Sequence, residues 1–518
     1  MTRFSMPTIL VTGASGFIGK NFLVTIKPYF KIFALSRRLP LEKEFLEHPN
    51  ITWIQADICS PEAMQRAKAI MEKEGGIHFV YHLAGYYDFN YDLNPEYYRT
   101  NVEGTENVLA LSKEMNIKRF IFASSIAACE FPKPGEVIHE NSPANANFEY
   151  ARTKKLGEGL VETYSEHFPC SIVRFGAAFS DWCEYGPMFH FLKTWTTKSW
   201  KSHMLGGRGQ SAITYIHINC LNELILKIIR KTSELGQFDR YVASPNNPVT
   251  HQELFLISTL YFFGKSKRAI YIPKILATLG VYVMDILGKI IGKRPFERPW
   301  MMQYIDKQLR VDASYTRKVL DWNPTKRYRI QRRLLYMIEH MKSYPYEWQK
   351  RNLKASKALT LNPNFKIYQA LEDDRAHLIE EILQTFKDPK NKGRFPTYQA
   401  MDSEILRKDI MAVYQFLSVS VRSKDRVSAL AYSRQTANLR YKEGFPVQEV
   451  MDAFRTTGDV ILRNLNDNHD LHVMEMDLHN EISLTFQIMI DEIEGTYESL
   501  DWHDKPSDYF KLEHEETT

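Results

Sequence analysis

The chain has 518 residues, 44% of them hydrophobic and 25% charged, with a formal net charge of +5. At about 150 residues per domain this length implies two or three domains with a sizeable core. The small net charge, with no basic stripe interleaved with aromatics, gives no footing for a nucleic-acid partner. Five scattered cysteines without a CxxC pair argue against a zinc ribbon or a disulfide framework and suit a reducing compartment.

The opening stretch, MTRFSMPTILVTGASGFIG, runs into a strand and a glycine-rich turn without signal-peptide architecture, so a cytoplasmic location is expected. TILVTG, KIFALS, ITWIQAD, FVYHLAG and RFIFASS follow as short β-rich apolar runs, too continuous to have one face in water. Helical patterns such as NVEGTENVLALSKEMN separate them. That alternation predicts an α/β fold, a Rossmann-type doubly wound parallel sheet covered on both faces. It continues through CSIVRFGAAFS and SAITYIHINC over residues 6–340, with a small substrate lobe from about residue 175.

The most apolar stretch, residues 270–292, is interrupted by Pro273, Lys274, Asp285 and Lys289. It falls short of the roughly 18 uninterrupted apolar residues of a membrane span. A buried or substrate-covering helix is the plainer expectation. A helix lying in a membrane surface is the other, with GKRPFERPW supplying cations and Trp300, which gives a peripheral membrane contact through residues 270–300. Residues 341–364, basic and polar and containing Asn-Pro, are expected to be a linker. Residues 365–500 carry apolar residues at helical spacing without strands and predict an all-α C-terminal bundle, followed by a tail over 501–518.

The chemistry begins at Gly13, Gly16 and Gly19, three apart between the first strand and a helix. They permit a tight turn, close backbone approach to a pyrophosphate, and close helix packing. The anion then rests on the helix start, with Ser15, Phe17 and Ile18 in the same turn. About 20 residues on, where an acid would bond an NAD ribose, stand Arg37 and Arg38. A guanidinium binds a 2′-phosphate with paired charge-assisted bonds. NADP(H) is therefore favoured and NAD(H) remains open, with Arg37 the expected contact. Tyr150 and Lys154 in YARTK are four apart, hence on one helix face. A nearby ammonium favours phenolate, so Lys154 is expected to lower the Tyr150 pKa. Two more YxxxK patterns, Tyr261/Lys265 and Tyr346/Lys350, have no strand-end serine pair upstream.

TGASGFIG resembles the TGxxGxxG fingerprint of the extended short-chain dehydrogenase/reductase superfamily, that of the NAD(P)-dependent epimerases and dehydratases. The resemblance implies that Asp57, followed by Ile58, faces the adenine amino group. It implies that Leu83, Ala84 and Gly85 form the loop after the fourth strand, and that Asn101 steadies the catalytic helix. It assigns Tyr150 as acid-base, Ser125 rather than Ser124 as substrate polariser, and Lys154 also as a clamp on the nicotinamide ribose. VRFGAAFS, with Phe175 beside the cofactor, resembles the RPG segment of dihydroflavonol reductase-like and hydroxysteroid dehydrogenase-like members, with Phe175 in the proline's place.

The lobe is rich in Phe179, Trp182, Tyr185, Met188, Phe189, Phe191, Trp195 and Trp200. That favours a hydrophobic ketone, aldehyde or secondary alcohol as substrate. The alternatives are a sugar-nucleotide epimerase or dehydratase that retains NAD, and a non-catalytic NADP(H) sensor. GFPVQEVMDAFR and its helix order resemble the helical sensory domain of stressosome co-antagonist proteins, which implies a regulatory bundle that takes a protein partner; a homodimer is expected. His469, His472, His479 and Glu475 fit no metal-ligand spacing, and no metal is expected.

Overall fold

A computed structural model describes residues 6–40, 47–87, 94–291, 295–356, 363–423, 425–468, 471 and 474–504. The chain divides into two compact units, Met1–Leu359 and Thr360–Thr518.

The first unit is built on seven strands: β1 Thr8–Thr12, β2 Lys31–Ser36, β3 Ile51–Gln55, β4 Phe79–His82, β5 Arg119–Ser125, β6 Cys170–Phe175 and β7 Phe238–Ala243. They pair in parallel in the order β7-β6-β5-β4-β1-β2-β3. Alternate residues serve opposite faces. Ile9, Val11, Ile32, Ala34 and Ile121 pack with Phe22 and Leu23 of α1 (Phe17–Ile26) and Leu221 and Leu224 of α6 (Ile218–Arg230). Leu10, Phe33, Val80 and Phe120 pack with Met64 and Met71 of α2 (Pro61–Lys73) and Val108 and Leu109 of α3 (Gly104–Glu114). Both faces are dry, which is why these strands read as unbroken apolar runs. Each large side chain so buried contributes roughly 1.5–3 kcal/mol. The strand order reverses between β4 and β1, and a crevice at the carboxyl ends of the strands opens there.

Tyr150 and Lys154 lie on α4 (Glu149–Tyr164). A smaller lobe gathers α5 (Gly186–Trp195), α7 (His251–Phe263), α9 (Ile330–Ser343) and α10 (Pro345–Ser356) around Phe189, Trp195, Phe255, Leu334, Met337 and Trp348. Helix α10 lies inside the stretch expected as linker. Its basic outer residues mask an inward stripe of Trp348 and Leu353, both buried, and Trp348 packs on Phe189 with ring centroids 4.8 Å apart. Of the buried or substrate-covering helix expected over residues 270–292, helix α8 (Lys274–Ile291) corrects burial, because most of its large apolar side chains are exposed, while Leu276, Val281 and Met284 do line a cavity.

The second unit is all helical: α11 Pro363–Asp373, α12 Arg375–Lys387, α13 Ser403–Ser423, α14 Val427–Lys442, α15 Val447–Asp467 and α16 Leu484–Asp504. The apolar pattern over α11 and α12 reads as one helix, but the backbone breaks at Asp374. Gly444 takes φ +77° just past α14, and Pro446 caps α15. Buried Leu371, Tyr414 and Ile461 share one core, and the Tyr414 hydroxyl donates to the Leu371 carbonyl at 2.6 Å. Among the described residues no group of side chains is arranged to hold a metal; His469 and His472 lie outside them.

Candidate active site

The glycine turn is shaped by contact. Gly13 has φ +65°, and a Cβ on it would lie 2.8 Å from the Ala84 nitrogen. A Cβ on Gly19 would lie 2.6 Å from the Gly13 carbonyl oxygen. Helix α1 therefore begins against β1 and the 83–85 loop, with Gly16 at its N-cap and no side chain capping it. The N–H groups at its start face the crevice, a cradle for an anion. Thr12 fixes the loop opposite: its hydroxyl accepts from the amides of Leu83 and Ala84, each at 3.2 Å, and meets His82 Nδ1 at 2.6 Å. Burial holds His82 neutral, with a pKa of about 3.

Asn101 sits in a π-helical turn over Arg99–Glu103, a feature frequent at functional sites. Its Oδ1 accepts from the Tyr86 amide at 2.6 Å, and its Nδ2 donates to the Tyr86 carbonyl and Thr153 Oγ1 at 3.0 Å each. It thus ties the loop after β4 to α4. Lys154 Nζ donates to the Ala123 carbonyl at 2.7 Å and stands 5.8 Å from the Tyr150 ring centroid. Tyr87 packs on Tyr150, centroids 4.5 Å apart. Ser125 ends β5, where its Oγ accepts from the Ala127 amide at 3.1 Å.

Burial dominates the electrostatics. It pulls Lys154 down to about 8, partly offset by Glu158. It pushes Tyr150 up to about 12, against a hydrogen bond with Ser125. The lowering expected from Lys154 is therefore not what the protein alone imposes, because excluding water from the phenol outweighs the Ser125 hydrogen bond that opposes it.

Beneath these groups Arg174 of β6 reaches Glu158 of α4 through Nε at 2.9 Å and Nη2 at 2.6 Å, and Ser124 Oγ donates to the same carboxylate at 2.5 Å. All three side chains are buried. They lock β5, α4 and β6 in the register that presents Ser125, Tyr150 and Phe175.

One cavity of about 1900 Å³ joins the parts. Gly13, Ser15, Gly16, Phe17, Ile18, Gly19, Arg38, Leu83, Gly85, Ser125, Tyr150, Lys154 and Phe175 line it. Ala84, Asn101 and Ile58 stand behind the wall, Ile58 buried against Gly104. The arginines divide. Arg38 is on the wall, whereas Arg37 turns to Glu96, Nη1 to Oε2 at 3.2 Å. Asp57 is also engaged: Oδ2 accepts from Arg99 at 2.5 Å and Oδ1 from the Cys59 amide at 3.0 Å. Those two bonds overcome burial and hold its pKa below the usual carboxylate range.

Of the lobe aromatics, Tyr185, Phe191, Trp195 and Trp200 face the cavity. Phe179, Met188 and Phe189 are core, and Trp182 stacks on His340 at 4.0 Å. Glu184, which no motif singled out, also lines the cavity. Burial raises its pKa, its Oε2 accepts from Ser180 Oγ at 2.6 Å, and it follows Cys183 in a left-handed pair with φ +77° and +54°. An acid among aromatics in WCEYGP was the available signal. Strain of that kind clusters at functional sites.

A parallel sheet with an uncapped glycine turn at its switch point, and a tyrosine-lysine helix beside it, defines a nicotinamide-dependent dehydrogenase-type site. Residues 9–243 match the NAD dependent epimerase/dehydratase family, and the N-terminal unit carries a domain of that NAD(P)-dependent family. The chain is 27% identical over 292 residues to N-acetyl-alpha-D-glucosaminyl-diphospho-ditrans,octacis-undecaprenol 4-epimerase of Escherichia coli O157:H7, covering 55% of this chain and 81% of that enzyme. It is 25% identical over 309 residues to 2-alkyl-3-oxoalkanoate reductase of Shewanella oneidensis, covering 58% of this chain and 76% of that enzyme. Among solved structures, UDP-glucose 4-epimerase of Thermotoga maritima shares the fold at 17% identity and a TM-score of 0.51, covering 65% of this chain and 99% of its own. No described helix is long and apolar enough to cross a membrane.

Proposed function

We propose that the N-terminal unit uses a nicotinamide dinucleotide to oxidise and reduce a hydroxyl-bearing carbon of its substrate, in the manner of sugar epimerases and dehydratases. The observation that carries this is the convergence of Ser125, Tyr150 and Lys154 on the cavity that the glycine turn opens.

The residues present fit the dinucleotide. The start of α1 with Gly13, Ser15 and Gly16 would receive the pyrophosphate, Arg38 a ribose 2′-phosphate, and Lys154 with Phe175 the nicotinamide end. The cofactor, when bound, supplies the hydride. The protein supplies position and the proton. Ser125 donates a hydrogen bond to the substrate oxygen, where negative charge builds as a carbonyl is reduced. Tyr150, protonated at neutral pH with a pKa near 12, passes its proton to that oxygen. The reverse direction needs the phenolate, which a cation bound beside it favours. Lys154 would hold the ribose, its ammonium fixed by the bond to the Ala123 carbonyl.

The matched family and the E. coli relative, named for a sugar on diphospho-undecaprenol, support the epimerase or dehydratase reading. A second reading, an NADP-dependent reductase of a hydrophobic ketone, draws on the apolar wall of Phe131, Trp195, Trp200, Met284 and Trp300. The Shewanella relative is named for such a reduction. Turnover assays separate them. An epimerase or dehydratase converts a sugar diphosphate derivative with no net consumption of nucleotide. A reductase oxidises one NADPH per 3-oxo acid reduced. Absence of both activities in protein that binds nucleotide would overturn the proposal.

A further inference from the structure

Helix α8 is apolar on nearly every side. Leu276, Ala277, Gly280, Val281 and Met284 line the cavity. The rest of its large apolar side chains face solvent: Ile275 is 82% exposed, Ile290 76%, Leu279 62% and Ile286 56%, with Tyr282, Val283 and Leu287 also open. An exposed apolar run of that size marks a contact surface. Its single carboxylate, Asp285, is turned inward, 3% exposed and within 3.3 Å of both Arg298 and Lys289.

The neighbouring chain extends this face. Strand Ile270–Ile272 pairs with Met204–Gly206, and Lys267 Nζ donates to the Trp195 carbonyl at 2.9 Å, so residues 193–210 flank residues 264–291. Trp200 is 66% exposed there, beside exposed Ile270 and Tyr271. These two stretches present Lys193, Lys198, Lys201, Arg208, Lys265, Arg268, Lys274 and Lys289 as exposed cations, and Asp285 is their only carboxylate. Exposed Glu297 lies beyond them on the cavity wall.

We infer that α8 and its basic flank seat the N-terminal unit on an anionic lipid bilayer, with the helix lying in the interface. Apolar side chains on the face turned away from the cavity, with tryptophan, tyrosine and lysines in the flanking chain, are the composition of a helix in that position. The absence of exposed carboxylates in both stretches matches anionic headgroups. A second copy of the chain is a poorer occupant, since a two-fold contact through these two stretches would bring basic segments together with no exposed carboxylate in either to pair them. Because α8 also walls the cavity, docking places the cavity mouth at the bilayer. A substrate with an apolar tail then reaches Tyr150 without leaving the lipid. That last clause rests on the reading of the active site above; the docking does not.

The test is co-sedimentation of the full chain with phosphatidylcholine vesicles, with and without phosphatidylglycerol, alongside NADPH and NADH binding in solution. The triple variant Ile275→Gln, Leu279→Gln, Ile286→Gln keeps strong helix formers and touches no cavity-lining residue. The parent should pellet with the anionic vesicles and weakly with the neutral ones. The triple variant should bind them at least about tenfold less, with its NADPH affinity unchanged. Lys265→Gln, Arg268→Gln, Lys274→Gln should lose the preference for anionic lipid. Parent protein that stays in the supernatant with both vesicles overturns the docking, as does a triple variant that pellets equally. So does a parent dimer that the triple variant converts to monomer while neither binds vesicles. Vesicle binding by protein that takes up neither NADPH nor NADH would sink the active-site reading and leave the docking standing.

Discussion

The two ends of the cavity are built from different material. At the glycine-turn end the wall is main chain, and its shape follows from atoms that cannot move apart: the Gly13 carbonyl against Gly19, and the Ala84 amide against Gly13. At the lobe end the wall is side chain, with Trp195, Trp200, Met284, Trp300 and Phe131. A backbone cradle fixes the class of ligand, because any Cβ there must displace main chain. Aromatic and methionine side chains repack at a modest cost. Likeness of fold therefore carries the cofactor class much further than it carries the substrate.

The sharpest way to break that contrast is at its junction. Tyr150→Phe should lower turnover by about 10²–10⁴ while nucleotide affinity holds; turnover near the parent level would move the proton elsewhere. Glu158→Ala should act through the scaffold, leaving Arg174 buried without its carboxylate. A loss of about 3–5 kcal/mol in unfolding free energy is expected by denaturant titration, and an unchanged midpoint would deny the network its role. Arg38→Ala should cut NADPH affinity about ten- to hundredfold and spare NADH, from bonds of about 1.5–3 kcal/mol. Arg37→Ala, at the Glu96 ion pair, should leave both affinities unchanged. The reverse pattern would restore Arg37 as the phosphate contact.

The smallest effect is on pH dependence. Burial lowers the Lys154 pKa to about 8, so the ammonium proposed to clamp the ribose is lost as pH rises through that value, and kcat/KM should fall there. The sign for stability is opposite. The unfolded lysine binds its proton up to about 10.5, so between these values the unfolded state holds more protons, and this group stabilises the fold increasingly with pH. A kcat/KM that rises through pH 8 would contradict the clamp.

Much of this was readable from residue order, for identifiable reasons. Strands buried on both faces announce themselves as apolar runs, and a turn that tolerates only glycine announces itself as spaced glycines. Tyr150 and Lys154 followed from helical spacing. Strand β7 was passed over because FDRYVA is half-polar at an edge, and α10 because its basic outer face hides Trp348. The choice between Arg37 and Arg38 turned on Glu96, about 60 residues away in the chain, as the engagement of Asp57 turned on Arg99. The upward shift of Tyr150 depends on how completely water is excluded, which no local pattern encodes.

The most direct test of the central claim is to denature freshly purified full chain, identify and quantify the released nucleotide by mass spectrometry, and measure what a dialysed sample takes up from NADPH or NADH. The account predicts one nicotinamide dinucleotide per chain, released or taken up, with uptake lost in Gly13→Val. A chain that neither releases nor takes up a nicotinamide dinucleotide would contradict it.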